Sequence, residues 1–247
     1  MDILGIREEV KNNLIMGTFT HRTQYLPDLC ASVRQFYPDI PFIVYYEKQE
    51  LNKNFEALRL KFKESGKRFW LFLDDDTRFI NSTVIENALE LLLRKGYGMV
   101  GCYSTYFPNY VATKQDLVEE EVGWVPGYFQ LVNSGLVGDL EGDLNLPYPN
   151  FHVDIDYCLG VHAKGYKVGI AADYVWHNNN YTKSPSIKRE KNIPYLREKW
   201  EVYYRFYTVF YKYLIDSAPC ITEDQLYIPG VFWKEKKGLD DQRHLHT

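Results

Sequence analysis

Apolar positions along the first hundred residues follow two alternating rhythms. Residues 13–19 and 41–46 are short β-rich runs. Residues 68–73 (Arg-Phe-Trp-Leu-Phe-Leu) are almost continuously apolar, as expected of a strand covered on both faces. Between these runs, residues 26–36 and 54–64 carry apolar side chains at helical spacing. A further helix is predicted after Thr83. Thr83 and Glu86 have the spacing of a capping box, and Val84, Ile85, Ala88, Leu91 and Leu92 build one apolar face. Arg94 and Lys95 suit its negative end, and Gly96 stops it. Residues 98–103 read as the next strand. This alternation predicts an α/β architecture, a Rossmann-like and mostly parallel sheet flanked by helices.

The rhythm is weaker further on. Residues 104–125 are polar and irregular and read as loops, whereas 128–137 return to strand character. Residues 156–164 predict a short helix ended by Gly165, and 168–174 a final strand. Beyond residue 184 the chain turns basic, then aromatic. Leu196, Trp200, Tyr203, Tyr207, Phe210 and Leu214 alternate at spacings of four and three, along one side of a helix. The expected division is a domain over 1–184 and an aromatic helical extension over 185–247.

Composition narrows the classes. Of 247 residues, 45% are hydrophobic and 16% aromatic, ample for a buried core, so a disordered chain is excluded. With Lys+Arg at 29 and Asp+Glu at 33, the net charge of −4 gives no general attraction to nucleic acid. An anionic ligand must then be held locally, by a metal or a few placed cations. The first ten residues alternate apolar and charged types and lack an export signal's apolar core, which makes the cytoplasm the expected compartment. No apolar run is long enough to span a bilayer. Cys30, Cys102, Cys158 and Cys220 lack paired spacing and are expected to be reduced and buried. Lys183, Lys188, Arg189 and Lys191 would suit lipid headgroups or a phosphate-bearing acceptor, so weak peripheral membrane contact is the most that is expected.

The candidate chemistry lies where the apolar run 68–73 empties into Asp74, Asp75 and Asp76. Ligands of open parallel sheets bind outside the carboxyl ends of the strands. Three adjacent carboxylates repel one another and gain nothing from burial, so they need a cation or hydrogen-bond donors. A hard divalent cation, Mn²⁺ or Mg²⁺, takes carboxylate oxygens and leaves positions for phosphate oxygens. Extended alternation puts Asp74 and Asp76 on one side and Asp75 on the other. The plain alternative is an Asp-rich turn capping the next helix. The apolar strand before the triplet, and a helix opening only several residues after it, favour a ligand rim.

Leu71-Phe72-Leu73-Asp74-Asp75-Asp76 resembles the strand and DxD motif of the GT-A-fold glycosyltransferases. Val153-Asp154-Ile155-Asp156-Tyr157-Cys158-Leu159, followed by Gly165-Tyr166-Lys167-Val168, is similar to that group's acidic helix start and its Gly-aromatic turn into a strand. Val175-Trp176-His177 resembles the later strand that ends in a histidine. The resemblance implies that Asp74 and Asp76 hold Mn²⁺ or Mg²⁺ on the diphosphate of a nucleotide-sugar donor, with Asp74 and Asp75 on the donor side. It implies that His177 completes the metal shell and that Asp154 deprotonates an acceptor hydroxyl, as in inverting members. Val153 departs from the Glu that many members carry there. Thr18 and Thr20 match the region that contacts the nucleotide, and Glu47 the acid for base or ribose, which favours a UDP-sugar. Arg22 or Arg59 would offset pyrophosphate charge. Ser134 and Gly135 match the region lining donor sugar and acceptor, the latter a carbohydrate or glycoconjugate. Trp124 and Tyr128 are candidates for stacking on a sugar ring, or for plain packing.

The apolar strand before Asp-x-Asp also suits a Mg²⁺-dependent phosphatase of the haloacid-dehalogenase type, with Asp74 as nucleophile and Asp76 as acid–base. Arg78 stands where that class expects a small residue, and two βα units precede the motif. A non-catalytic sugar-nucleotide-binding module is the third possibility. Nucleotidyltransferases share the sheet but need a Gly-rich basic loop after the first strand, which residues 18–24 lack.

Overall fold

Asp2 opens the first helix, α1 (Ile3–Asn13), by accepting the amide of Gly5 on its carboxylate at 2.8 Å. Ile6 and Val10, one turn apart, are the buried side chains of this helix, which is absent from the sequence expectations. The computed structural model describes residues 2–20, 24–47, 50–104, 119–147, 152–177 and 192–204. Arg22, the cations Lys183, Lys188, Arg189 and Lys191, and Tyr207, Phe210 and Leu214 lie outside the described residues.

The expected alternation follows: β1 (Leu14–Thr20), α2 (Leu26–Phe36), β2 (Phe42–Tyr46), α3 (Leu51–Glu64), β3 (Phe69–Leu73), β4 (Thr77–Arg78), α4 (Val84–Lys95) and β5 (Met99–Ser104). The second half contains β6 (Glu120–Val122), β7 (Gln130–Asn133), α5 (Ser134–Val137), α6 (Val153–Ala163), β8 (Val168–His177) and α7 (Asn192–Trp200). A 3-10 turn, Glu201–Tyr203, follows α7.

The eight strands form one sheet in the order β2-β1-β3-β7-β5-β8-β4, with β6 also on β8. β2, β1, β3, β5 and β8 run parallel, and β7 runs against them between β3 and β5. Alternation along the central strands feeds two cores. Leu14, Met16, Phe69, Leu71 and Leu73 pack with α1, α2 and α4, while Ile15, Trp70 and Phe72 pack with α3, α6 and α7. Each such large side chain contributes about 1.5–3 kcal/mol relative to exposure. All five residues of β3 are buried, as the apolar run predicts.

Four local expectations change. The capping box of α4 does not form. Asn81 Oδ1 accepts the amides of Thr83 and Val84, Thr83 gives its hydroxyl to Asp173, and Glu86 accepts from the Tyr37 hydroxyl. Gly96 does end the helix, in the left-handed conformation at φ 65°. The strand expected over 128–137 stops at Asn133, because Ser134 turns its amide and hydroxyl onto the Arg68 carbonyl and starts α5. Part of the polar stretch 104–125 is β6, paired antiparallel with β8. Finally, α6 begins at Val153 rather than 156, and β8 reaches His177 rather than 174.

Of the extension expected over 185–247, the structure describes residues 192–204. There α7 packs on the sheet domain: Leu196 is fully buried in the core that α3 and α6 share. Among the described residues, no helix is long and apolar enough to cross a membrane.

Candidate metal centre

The Asp triplet begins where β3 leaves the sheet. The Thr77 amide bonds back to the Asp74 carbonyl at 3.2 Å, closing a tight turn. The chain then enters β4, which pairs antiparallel with the end of β8, so that Thr77 stands opposite His177 and Arg78 opposite Trp176. Arg78 also covers the Trp176 ring at 4.2 Å. Two residues of strand thus bring a histidine about 100 residues downstream onto the triplet.

His177 Nε2 lies 3.1 Å from Asp76 Oδ1 and 3.7 Å from Asp74 Oδ2. The three residues offer ligand atoms all within 4.8 Å of one another. Asp75 and Asp76 are the central residues of the tight turn and not extended strand, and Asp75 has a different partner. It is buried and accepts the Thr20 hydroxyl at the end of β1. Asp74 keeps 38% of its side chain open, yet the surrounding protein still desolvates its carboxyl. That desolvation, less a favourable pull from His177 and plus the repulsion of Asp76, Asp154 and Asp75, pushes its carboxyl up to about 7. For His177, burial works against the imidazolium. The hydrogen bond and charge of Asp76, with Asp74 and Asp75 behind it, outweigh that and raise its pKa.

The segment between β6 and β7 supports this cluster. The Tyr128 ring packs on His177 with centroids 4.9 Å apart, and its hydroxyl reaches the Cys102 carbonyl at 3.0 Å. Tyr128 is therefore packing for the cluster rather than a sugar platform. Its carbonyl accepts the Thr77 hydroxyl at 3.1 Å. The neighbouring Gly127 gives its amide to Asp154 Oδ2 at 3.2 Å. A Cβ at Gly127 would stand 3.1 Å from Asp74 Oδ1 and 3.7 Å from the Asp154 Cβ. A side chain there would press on the Asp74 carboxylate, which would have to give by a few tenths of an ångström.

Asp154 is in the first turn of α6 and does not precede the helix. Its other oxygen accepts the amide of Ile155 at 2.9 Å. Both carboxylate oxygens are thus met by backbone N–H groups, which fix the orientation of the carboxylate. Gln130 supports the same turn from β7, donating to the carbonyls of Val125 and Asp154 at 3.0 and 3.3 Å. Asp156, in the same turn, faces α7.

Other expected residues fall differently. Thr18 is fully buried on β1, level with Leu73 and Val44, and its hydroxyl has no hydrogen-bond partner among the described residues. Thr20 is held at the triplet by Asp75. Glu47 is exposed just past β2, its carbonyl accepting the Asn54 amide group at 3.2 Å. Ser134 and Gly135 are misplaced by the sequence expectation. β7 runs antiparallel to β3 with Asn133 opposite Phe69, which puts both residues at the end of the sheet away from the triplet. Arg59 is also no phosphate ligand, because it is buried and bonded to Glu56 and to the Gly138 carbonyl. Sequence reasoning missed Gly127 altogether. Its one signal was the Pro126-Gly127 pair, an ordinary turn marker.

No family model and no curated protein match the sequence. Solved structures do match the fold. The mannosyltransferase PcManGT from Pyrobaculum calidifontis, in complex with GDP-Man and Mn²⁺, is 11% identical with a TM-score of 0.55, over 80% of this chain and 70% of that one. Glucosyl-3-phosphoglycerate synthase from Mycobacterium tuberculosis, in complex with phosphoglyceric acid, is 12% identical with a TM-score of 0.52, over 81% and 85%. A mycobacterial protein of 11% identity has a TM-score of 0.55, over 81% and 79%. The fold is that of the GT-A glycosyltransferases, with a cluster of two aspartates and a histidine at the rim of its sheet.

Proposed function

We propose that this chain transfers a sugar from a nucleotide-diphosphate donor, UDP-linked, to an acceptor hydroxyl of a carbohydrate or glycoconjugate, inverting the anomeric centre. The observation that carries the proposal is Asp74, Asp76 and His177 converging within 4.8 Å at the end of β3, with Asp154 across Gly127 from Asp74.

Asp74, Asp76 and His177 fit a divalent metal by donor chemistry. Two carboxylates and an imidazole suit Mn²⁺, and crowded acids in a desolvated recess are relieved by a dication. When bound, such an ion neutralises diphosphate charge as the leaving group departs. The Pyrobaculum structure, of the same fold, holds Mn²⁺ and a GDP-sugar. The UDP preference rests on Glu47 beyond β2 as a partner for ribose hydroxyls or a uracil N–H.

Asp154 is the base. A sugar hydroxyl is a weak nucleophile at neutral pH, and a positioned carboxylate takes its proton as the bond to the diphosphate breaks. The amides of Gly127 and Ile155 fix the orientation of Asp154. The bond of Asp75 to Thr20 ties the triplet to the end of β1. The phosphatase alternative needs Asp76 free as acid–base, whereas Asp76 is turned onto His177.

The test is release of nucleoside diphosphate from a panel of UDP- and GDP-sugars with Mn²⁺ and simple acceptors, alongside hydrolysis of phosphate esters. Release from UDP-sugars, inversion at the product's anomeric carbon, and a loss of about 10²-fold or more in Asp154→Asn with donor binding kept are expected. Ester hydrolysis without sugar transfer would refute the proposal, and near-normal turnover by Asp154→Asn would remove Asp154 from it.

A further inference from the structure

The helix that carries Asp154 has an unusual start. Its N-cap, His152, lies in the left-handed region at φ 73° and makes no side-chain cap bond. Asp154 is occupied with Gly127 and Ile155. Asp156, the remaining acid of the first turn, gives nothing to the helix end. Its buried carboxylate instead accepts from Lys199 Nζ and Trp200 Nε1, both at 2.7 Å, at the far end of α7.

Lys199 is shared. Its ammonium also reaches Asp143 at 2.8 Å, and Asp143 accepts the Tyr195 hydroxyl at 2.6 Å and the Asn145 amide at 2.8 Å. The Asp143 carbonyl in turn accepts from Asn52 in the first turn of α3 at 2.9 Å. The Trp200 ring lies against α6 one turn beyond Asp156, beside Gly160: a Cβ there would sit 3.5 Å from the ring, at ordinary contact distance. The carboxylates of Asp143 and Asp156 are 7% and 3% exposed, so removing Lys199 strands two charges away from water.

We infer that Lys199 and Trp200 are positioning residues that clamp the first turn of α6 through Asp156, and that α7 thereby sets where Asp154 stands. The inference rests on Asp154 being the base for its catalytic consequence, but its structural half stands alone. Asp154 and Asp156 share one helical turn. With no local cap, that turn is located by the Gly127 amide and Gln130 on one side and by the α7 clamp on the other.

The test compares Lys199→Met, Lys199→Arg, Trp200→Phe and Asp154→Asn in the full chain. Amide exchange across residues 153–157 should be faster by about tenfold or more in Lys199→Met, while β3 and β8 keep wild-type protection. Turnover should fall by roughly 10- to 100-fold with UDP–Mn²⁺ affinity and donor KM within about twofold, since a displaced base costs rate and not binding. Lys199→Arg should restore both readouts in part, and Trp200→Phe should show a smaller version of the same split. Unchanged exchange at 153–157 in Lys199→Met, or uniformly raised exchange in every element, overturns the clamp. A clamp confirmed by exchange, with Asp154→Asn fully active, would keep the positioning and sink the assignment of the base instead.

Discussion

Thr77 stands opposite His177 in a ladder only two residue pairs long. That pairing closes the site. Without it, β8 would deliver its histidine to the sheet edge with no carboxylates to meet. Thr77 is fully buried and also bonded to the Tyr128 carbonyl, so three chain segments meet at one residue. Backbone pairing therefore brings the three side chains of the cluster together.

His177→Ala should raise the Mn²⁺ concentration for half-maximal response by about tenfold or more, because one ligand of three is lost. The check is a metal titration followed by melting temperature or turnover. An unaltered titration with a lower melting temperature would make His177 a packing residue for Tyr128.

Metal binding should weaken as pH falls below about 7. Asp74 is raised to about 7 and His177 is raised above its ordinary value, so both bind protons that a cation must displace. The stability of the metal-free protein has the matching sign. A carboxyl raised from 3.8 to about 7 binds more protons folded than unfolded, so its contribution is lost as pH rises between those values. The raised His177 contributes fully below its unfolded pKa and loses that as pH rises through its folded pKa. Mn²⁺ titrations at pH 6, 7 and 8 should thus show affinity climbing steeply to about 7 and flattening once His177 has also deprotonated. Affinity independent of pH over this range would contradict the ligand set.

Gly127→Ala should reduce Mn²⁺ affinity and turnover together. Its Cβ would meet Asp74 Oδ1 at 3.1 Å, so Asp74 or the segment must shift, and the amide bond to Asp154 goes with it. Turnover about tenfold or more below wild type, in a protein whose far-ultraviolet circular dichroism is unchanged, is expected. A wild-type metal titration in this variant would show that the segment adapts without cost.

Much of this was legible in sequence where a period repeats often enough. Residues 26–36 are α2, the apolar run 68–73 is β3 but for its first residue, and Gly96 stops α4. Asp74 and Asp76 do come together and Asp75 goes to Thr20, but through a tight turn after β3 and not through the expected strand alternation. The failures share a cause. The cap of α4 comes from Asn81 because Thr83 is drawn to Asp173 on β8, a partner 90 residues away. Ser134 and Gly135 looked like ligand neighbours until the antiparallel register of β7 carried them to the other end of the sheet. β4 has two residues and no pattern to find. Gly127 matters only for what stands on either side of it, which no local pattern records.

Calorimetric titration of UDP into the protein, with Mn²⁺ and with EDTA, in wild type and in Asp76→Asn, tests the central claim most directly. Binding should appear with Mn²⁺, vanish in EDTA, and fall by about 10²-fold or more in Asp76→Asn with the melting temperature of the metal-free protein little changed. Equal UDP binding in Mn²⁺ and EDTA, or full metal-dependent binding by Asp76→Asn, would contradict a metal-bridged diphosphate at this triplet.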